Sequence, residues 1–326
     1  MVNLIKNSKF FIFLLILFCL LYYLIASFLD SILTKSIINY DKSIIIKKNI
    51  SENTFLNYLN RNKIKVSKLQ WHVSKFFTKD KFVLKHGEFI ISKSDTLIDL
   101  LNKINDNIIH YRKFTLIEGT NSKHLKNKLI QTPGLIGKVP HLSEGKFKPD
   151  TYLYKWGDSK SSLLKKMEFE QNKIIETHWK NRTKNKFIKS KFDVLILASI
   201  IEKEGKKSEE LKNISSVFLN RLNKTMKLQS DVTVAYALNK KGNNLNSLDL
   251  KSKNYFNTYR YRGLPPTPIC YPGEKAILAV LYPNNTDYLF FVSDGKGGHR
   301  FSKNFSKHKK NIKLWIKGLK NYGKNK

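Results

Sequence analysis

The feature that most constrains the fold is an uncharged run of twenty residues near the N-terminus, Phe10–Leu29. A helix rises about 1.5 Å per residue, so this run spans a hydrocarbon core of about 30 Å. A cleaved signal peptide has a shorter apolar stretch, of roughly 7–15 residues, and a cleavage site with small residues. Only Ala26-Ser27 resembles such a site. The sequence therefore predicts a retained transmembrane helix at residues 10–30, preceded by a short tail at residues 1–9.

The charge of the chain narrows the classes of partner. Among 326 residues, 60 are Lys or Arg and 25 are Asp or Glu, a formal net charge of +35. Clustered basic residues would indicate nucleic-acid binding, because they release counterions from phosphate. Here the lysines are spread over every segment, and the motifs of nucleic-acid-binding domains are absent. The distribution favours an anionic membrane or wall polymer over nucleic acid. Lysines on both sides of the anchor leave its orientation open.

The sequence offers no set of residues that would hold a metal or a cofactor. Its two cysteines, Cys19 and Cys270, form no C-x-x-C pair, and Cys19 lies inside the apolar run. The glycines at 295, 297 and 298 lack the spacing of a phosphate-binding loop. His299 follows them without an H-E-x-x-H partner set, and the pattern around it predicts a β-hairpin. We therefore expect no disulfide, no metal and no cofactor.

The apolar periodicity after the anchor predicts two α+β units. Residues 40–110 alternate short strands, such as Ile44–Ile46 and Gly87–Ile91, with amphipathic helices, which is typical of a small α+β module. Residues 112–322 contain longer helices, and we expect a larger α+β domain whose helical core surrounds the segment Val194–Gly205. The predicted fold class is α+β, with a single N-terminal transmembrane helix.

One glutamate in that segment is a candidate general acid. Glu202 directly follows an apolar helical face that ends at Ile201, and Gly205 is a plausible helix stop. A carboxyl group between an apolar wall and a cleft has a pKa raised by desolvation, which a general acid needs at neutral pH. The alternative is a solvated charge at a helix end. Glu204 lies about 200° around the helix from Glu202, and we expect it to make a structural salt bridge.

Polar residues are concentrated in two later segments. Gln229, Asp231 and Thr233 fall within five positions before an apolar helix. Asp231 is either an orienting group or a helix cap, and both alternatives stay open. Asn257 and Tyr259 precede a proline-rich loop, and such loops often carry functional sites.

These segments, in their order along the chain, resemble the bacterial endolytic murein transglycosylase (YceG-like) family. The resemblance implies an inner-membrane protein with one anchor and a cytoplasmic tail at residues 1–9. It also implies a LysM-like module at residues 40–110 and a catalytic domain at residues 112–322, both in the periplasm. The blocks that carry the resemblance are Leu197–Gly205, Ser216–Leu222, Leu228–Thr233, Tyr255–Pro268 and Asp287–Phe301.

The family reaction cleaves the β-1,4 bond between N-acetylmuramic acid and N-acetylglucosamine in nascent peptidoglycan strands and ends their elongation. The muramic 6-hydroxyl attacks its own anomeric carbon, which leaves a 1,6-anhydro end. Because this nucleophile is tethered to the reacting sugar, one carboxyl group suffices as acid and base, where ordinary glycosidases need two. The resemblance assigns this role to the first glutamate of the E-K-E motif, Glu202.

Five polar residues are candidate sugar contacts for this reaction, and two rival functions stay open. Gln229, Asp231, Thr233, Asn257 and Tyr259 are the hypothetical contacts of the sugar N-acetyl and hydroxyl groups. A hydrolytic muramidase with Asp231 as the partner of Glu202 is one alternative. A non-catalytic, membrane-anchored wall-binding scaffold is the other. Peptidoglycan strands and cell-wall synthases are the expected partners, and no nucleic acid is expected.

Overall fold

A computed structural model describes residues 2–240 and 244–324. The N-terminal helix α1 covers Val2–Leu33, and its segment Phe10–Leu33 is long and apolar enough to cross a membrane. The side chains of that segment's most apolar window are not buried by the rest of the protein. The helix is therefore compatible with a single-pass anchor over the predicted residues 10–30.

The chain divides into two compact units, which are described separately. The first unit comprises Met1–Arg112 and Tyr154–Gly157. Its two strands are antiparallel, with Ile44 opposite Phe89, and three short helices complete an apolar core. These elements are β1 (Lys42–Ile46), α2 (Glu52–Arg61), α3 (Lys68–Phe76), β2 (Gly87–Ile91) and α4 (Leu97–Asn105).

A buried ion pair lies in this first unit. Glu88 on β2 accepts hydrogen bonds from Arg112 at 2.6 and 2.9 Å and one from the Ser43 hydroxyl. Its side chain is only 1% exposed. Burial alone would raise the pKa of Glu88, but the hydrogen bonds from Arg112 and Ser43 outweigh it and lower the pKa below its ordinary value. The carboxylate is therefore stabilised in its charged form.

We expect Glu88→Gln to destabilise the first unit by about 2 kcal/mol at pH 7, because Arg112 loses a charged acceptor. A depressed pKa stabilises the fold above the unfolded value and loses this effect as the pH falls through the folded value, so the deficit should shrink in acid. Hydrogen exchange of the β1 and β2 amides, at pH 7 and in acid, measures this loss of stability. The control is Glu52→Gln in the more exposed Lys75 pair, where the change should stay within about 1 kcal/mol. An equal deficit at both pH values would contradict the assignment.

The second unit comprises Lys113–Leu153 and Asp158–Lys326. It is mainly helical, with small two-stranded sheets, so the mixed architecture agrees with the predicted α+β class. Strands β5 and β6 form the predicted antiparallel hairpin, with Ser293 opposite His299. Two of its strands, β3 (Arg112–Thr115) and β4 (Thr151–Tyr154), each have one end residue, Arg112 or Tyr154, in the first unit. Its other elements are α5 (Ser122–Gln131), α6 (Lys160–Trp179), α7 (Lys191–Glu204), α8 (Leu211–Asn223), α9 (Asp231–Ala237), α10 (Glu274–Leu281), β5 (Phe290–Ser293), β6 (His299–Ser302) and α11 (Phe305–Lys324).

Helix α7 is the centre of the second unit. Every residue from Val194 to Ile201 is buried, as expected for a helix that is apolar on all sides. Helices α8 and α10 pack against it, and the Ser199 hydroxyl accepts the Ile269 N–H at 2.9 Å. The helix ends at Gly205, where an added Cβ would lie 2.3 Å from a methyl of Leu211. This packing holds the last turn of α7, with both of its glutamates, in a fixed position.

Candidate active site

The two glutamates at the end of α7 face different surroundings. Glu202 is half-buried, and its Oε2 accepts the Gly273 N–H at 3.0 Å. Burial raises the pKa of Glu202, the Gly273 hydrogen bond opposes that rise, and the charge of Glu118 adds to it. The predicted candidate therefore has the raised pKa of a general acid.

A second carboxyl group, Glu118, lies beside Glu202. A Cβ added at Gly273 would lie 1.9 Å from Glu118 Oε1, so this exposed side chain rests over the glycine. The loop that carries Glu118 is held to the segment around Tyr271 by two main-chain hydrogen bonds, at 3.0 and 2.8 Å. Glu118 and Glu202 thus both contact Gly273, Glu202 at its N–H and Glu118 at its Cα.

Glu204 points into a polar cluster instead of the predicted salt bridge. Its Oε1 accepts a hydrogen bond from the Ser230 hydroxyl. Burial raises the pKa of Glu204, and the negative charge of Asp231 raises it further, while Ser230, His299 and Arg221 act in the opposite direction. Glu204 therefore has a raised pKa as well, and it has more polar neighbours than Glu202.

Three of the predicted binding residues, Gln229, Asp231 and Tyr259, lie at this cluster. They belong to two segments, one around Ser230 and one around Thr258, that are called its two loops below. Asp231 is exposed, and its Oδ1 accepts the Tyr259 hydroxyl at 2.6 Å. It lies in the first turn of α9, where Ser230 occupies the N-cap position, so Asp231 is not the cap. Gln229 is exposed, and its N–H donates to the Thr258 carbonyl at 3.1 Å. The Ser230 N–H donates to the Thr258 hydroxyl at 2.9 Å, which joins the two loops.

The backbone of Gln229 is in an unusual conformation. Its φ is +52°, in the left-handed region that side chains other than glycine rarely adopt. Such residues cost free energy, and they cluster at functional sites. The surrounding structure holds this one in place, because the Thr258 carbonyl binds its N–H and the Arg221 guanidinium lies 3.4 Å from its Oε1.

Arg221 on α8 stabilises the polar cluster through its hydrogen bonds. It is 9% exposed, and its guanidinium donates to the carbonyls of Leu289 and Leu228, both at 2.7 Å. The guanidinium also lies 5.2 Å from the centre of the Phe290 ring. Its positive charge lowers the pKa of Glu204, although burial and Asp231 keep the net shift upward. Arg221 therefore stabilises both the loop and the ionised form of the carboxyl.

The other two predicted binding residues are fully buried. The Asn257 amide donates to the carbonyls of Leu250 and Ser252 at 2.9 Å and accepts the Tyr259 N–H at 2.9 Å. The Thr233 hydroxyl donates to the Ser230 carbonyl at 2.7 Å. Their polar atoms are occupied by the loops that they support, and they do not line the surface that was predicted for them.

Among the described residues, the hydrogen bonds of Glu204 lead through Ser230 to the segments of the predicted binding residues, whereas the hydrogen bond of Glu202 leads to Gly273. The reason is the turn of about 200° between the two positions, which directs their side chains to opposite sides of α7. Glu202 as the catalytic residue stays a prediction. The second unit also contains a cavity of about 690 Å³ that touches Gly119 and Lys203, beside Glu202, and Val232, next to Asp231.

Comparison with known proteins identifies the family. The YceG-like family model matches residues 44–314, which is 271 of the 326 residues. The chain belongs to the YceG-like family. A crystal structure of a YceG-like protein from Listeria monocytogenes has a TM-score of 0.54 and 26% identity, and the alignment covers 83% of this chain and 99% of that one.

Two curated relatives of this YceG-like chain are named endolytic murein transglycosylase. The Bacillus subtilis protein is 37% identical over 179 residues, which are 55% of this chain and 49% of that protein. The Streptococcus pneumoniae protein is 32% identical over 176 residues, which are 52% of this chain and 31% of that protein. The match thus spans half or less of the length of these relatives.

Sequence reasoning missed three polar residues of the YceG-like chain. Glu118 lies in a loop after β3, and Glu144 lies in a loop before β4, where no periodic pattern marks either as unusual. Ser230 lies between two of the predicted binding residues, Gln229 and Asp231. In each case the signal is a contact with a segment distant in the chain.

Proposed function

We propose that the second unit is an endolytic lytic transglycosylase of peptidoglycan. It cleaves the β-1,4 bond between N-acetylmuramic acid and N-acetylglucosamine in nascent strands, leaves 1,6-anhydro ends and terminates elongation. The single observation that carries this proposal is a contact: the half-buried Glu204 carboxyl accepts the Ser230 hydroxyl, and exposed Asp231 is the next residue of that segment. Membership of the YceG-like family and the names of the relatives support it.

We propose Glu204 as the general acid, in preference to Glu202. Both have a raised pKa. Glu204 is bonded to Ser230, and the two chain neighbours of Ser230, Gln229 and Asp231, are exposed and can bind hydroxyl and N-acetyl groups. The backbone of Gln229 is also strained. Glu202 instead has its Oε2 on a backbone amide and an exposed carboxylate beside it. The sequence predicts Glu202 as the general acid instead, and the proposed reaction would be the same with Glu202 in that role.

The mechanism uses one carboxyl group twice. Protonated Glu204 donates its proton to the bridging oxygen as the bond between that oxygen and the muramic C1 breaks. The resulting carboxylate then accepts the proton of the muramic 6-hydroxyl as this oxygen bonds to C1. No water is consumed, and the carboxyl regains its proton. Tethering of the nucleophile replaces the second carboxyl of other glycosidases.

The surrounding residues have binding and supporting roles in this proposal. Gln229, Asp231 and Tyr259 hydrogen-bond the sugar N-acetyl and hydroxyl groups. Thr233 and Asn257 are buried, and they hold the two loops in register. The Asp231 carboxylate already accepts the Tyr259 hydroxyl, which fixes its orientation.

The remaining parts of the chain have proposed roles in localisation. We infer that α1 is a single inner-membrane anchor with residues 1–9 in the cytoplasm, and that both units are periplasmic. The α+β unit that contains residues 40–110 is the proposed LysM-like, glycan-binding module. Cell-wall synthases are proposed partners. The apolar helix and the compact core of the first unit support this arrangement.

A hydrolytic muramidase is the second candidate function. One observation favours it: Glu118 and Glu202 lie on either side of Gly273, and two neighbouring carboxyl groups are what a hydrolytic glycosidase uses. Asp231, the partner expected from the sequence, lies instead with Tyr259 and Glu204.

The products of the full-length chain in detergent test the proposed function. Uncross-linked peptidoglycan strands are digested, and the fragments are sized and weighed over time. We expect fragments of intermediate length to appear early, because cleavage is internal, with anhydro ends that are lighter by one water than hydrolytic ends. Reducing ends would establish the muramidase instead. Binding without soluble fragments would establish the wall-binding scaffold.

The pH dependence of the reaction should reflect the raised pKa of Glu204. A general acid acts only when protonated, so kcat/KM should fall as the pH rises through that pKa, by about tenfold per unit beyond it. Because burial raises the pKa of Glu204, this decline should begin above the pH at which an ordinary glutamate loses its proton. Glu202→Gln should leave the alkaline limb where it is. Displacement or loss of that limb in Glu202→Gln would assign the acid to Glu202.

A further inference from the structure

The cavity of about 690 Å³ lies in the second unit, and two of its lining residues, Gly119 and Lys203, adjoin Glu202. Lys203, between Glu202 and Glu204 in the chain, lines one side. Val232 follows Asp231 directly, and Phe256 lies three residues before Tyr259, so both join the cavity to the polar cluster. A ligand bound at the cluster therefore has open space next to it.

The lining of the cavity has a distinct charge pattern. Lys123 and His124, both exposed at the start of α5, lie at the cavity together with Lys203. Glu144 is the acidic group among the lining residues. The cavity thus presents several basic side chains and one half-buried carboxyl group, which suits a ligand that carries carboxylates and also has N–H donors.

The apolar part of the lining includes small and flat side chains beside Val232 and Ile269. Ala235 and Ala237 on α9 line it, and the rings of Tyr236 and Phe256 have their centres 5.1 Å apart. Surfaces of this kind accommodate methyl groups and peptide planes.

The two oxygens of the Glu144 carboxyl differ in their hydrogen bonding. Its Oε1 accepts the Ser122 N–H at 2.9 Å, the Ser122 hydroxyl at 2.7 Å and the Tyr236 hydroxyl at 3.4 Å. Its Oε2 is buried and has no hydrogen-bond partner among the described residues. A buried acceptor without a partner is unfavourable, so a ligand that offers an N–H or ammonium group there gains a hydrogen bond.

We propose that this cavity binds the peptide stem of the muramic residue whose bond is cleaved. The stem is a short peptide of small residues with free carboxylates and an amine or amide, which matches the alanines, the basic residues and Glu144. It branches from the lactyl group on C3 of the sugar that reacts at C1, so it must lie close to the general acid. This inference rests on the proposed function, and it adds the recognition of the stem.

The test compares strands that carry stems with the same strands after an amidase has removed them. We expect the full-length chain to cleave stem-bearing strands with a kcat/KM at least tenfold higher. Ala237→Trp fills the cavity, and Lys123→Glu reverses a charge at its rim; each should lower this preference at least fivefold. Lys126→Glu makes the same charge change on an exposed part of α5 outside the lining, and it should leave the preference unchanged.

The outcomes separate this inference from the proposed function. Equal cleavage of both strands by the unmodified chain would overturn the stem pocket and leave the transglycosylase intact. Cleavage of neither strand would overturn the proposed function. A preference that survives both Ala237→Trp and Lys123→Glu would also overturn the stem pocket. Lys123→Glu alters only an exposed side chain, so its result does not depend on repacking around position 237.

Discussion

Glu204→Gln is expected to lower the rate of strand cleavage by about 10³-fold or more, because general acid catalysis contributes roughly 10²–10⁴-fold and this carboxyl acts in both steps. Glutamine keeps the shape of the side chain and can still contact Ser230, but it cannot donate a titratable proton. Glu202→Gln, on the same helical turn, is the matched control, with an expected loss of about tenfold or less. Initial rates on uncross-linked strands measure both.

The stability of the two variants shows whether a loss of rate comes from unfolding. A carboxyl whose folded pKa is raised stabilises the fold while it holds its proton, and this contribution is lost as the pH rises through the folded pKa. Glu204→Gln should therefore raise Tm at pH 8 more than at pH 5. A variant that is inactive but at least as stable as the parent supports catalysis by Glu204. The reverse ranking, with Glu202→Gln inactive and Glu204→Gln active, would return the role to Glu202.

Arg221→Ala is expected to have the largest effect on stability, a loss of about 4 kcal/mol in the free energy of unfolding. Its guanidinium satisfies the carbonyls of Leu289 and Leu228, and without it these acceptors stay buried and unpaired. For a unit of about 200 residues, this loss corresponds to a decrease of about 8–16 °C in Tm. Thermal unfolding monitored by circular dichroism measures it.

Arg221→Lys should lose stability as well, because an ammonium group cannot reach the two separate carbonyls that the planar guanidinium bonds at the same time. The control is Arg260→Ala, an exposed position whose change should stay within about 0.5 kcal/mol. If the free energy of unfolding of Arg221→Ala lies within about 1 kcal/mol of the value for the unsubstituted chain, Arg221 does not hold the Gln229 loop as described.

The elements that depend on local pattern were predictable from the sequence. The uncharged run gives α1, and the apolar residues before Glu202 give the buried face of α7. The angle between Glu202 and Glu204 also follows from helix geometry alone. These features need no knowledge of distant contacts, because a helix repeats every few residues.

The environment of each glutamate was not predictable from the sequence, because it is made by distant segments. The hydroxyl that binds Glu204 belongs to Ser230, 26 residues away, and Glu118 lies 84 positions before Glu202. Asn257 was predicted to contact substrate as a polar loop residue, yet its amide is buried among backbone carbonyls. A polar residue in a loop either binds a ligand or holds the loop in place, and only its tertiary contacts distinguish the two roles.

Direct titration of the Glu204 carboxyl tests the central claim. Carbon-13 NMR of the full-length chain with labelled glutamate side chains gives the midpoint of each carboxyl, and the resonance missing from Glu204→Gln identifies this one. We predict a midpoint clearly above the ordinary value of 4.5, since burial and the Asp231 charge outweigh the opposing groups. A midpoint at or below 4.5 would contradict the account, because the carboxyl would then lack the proton that it must donate.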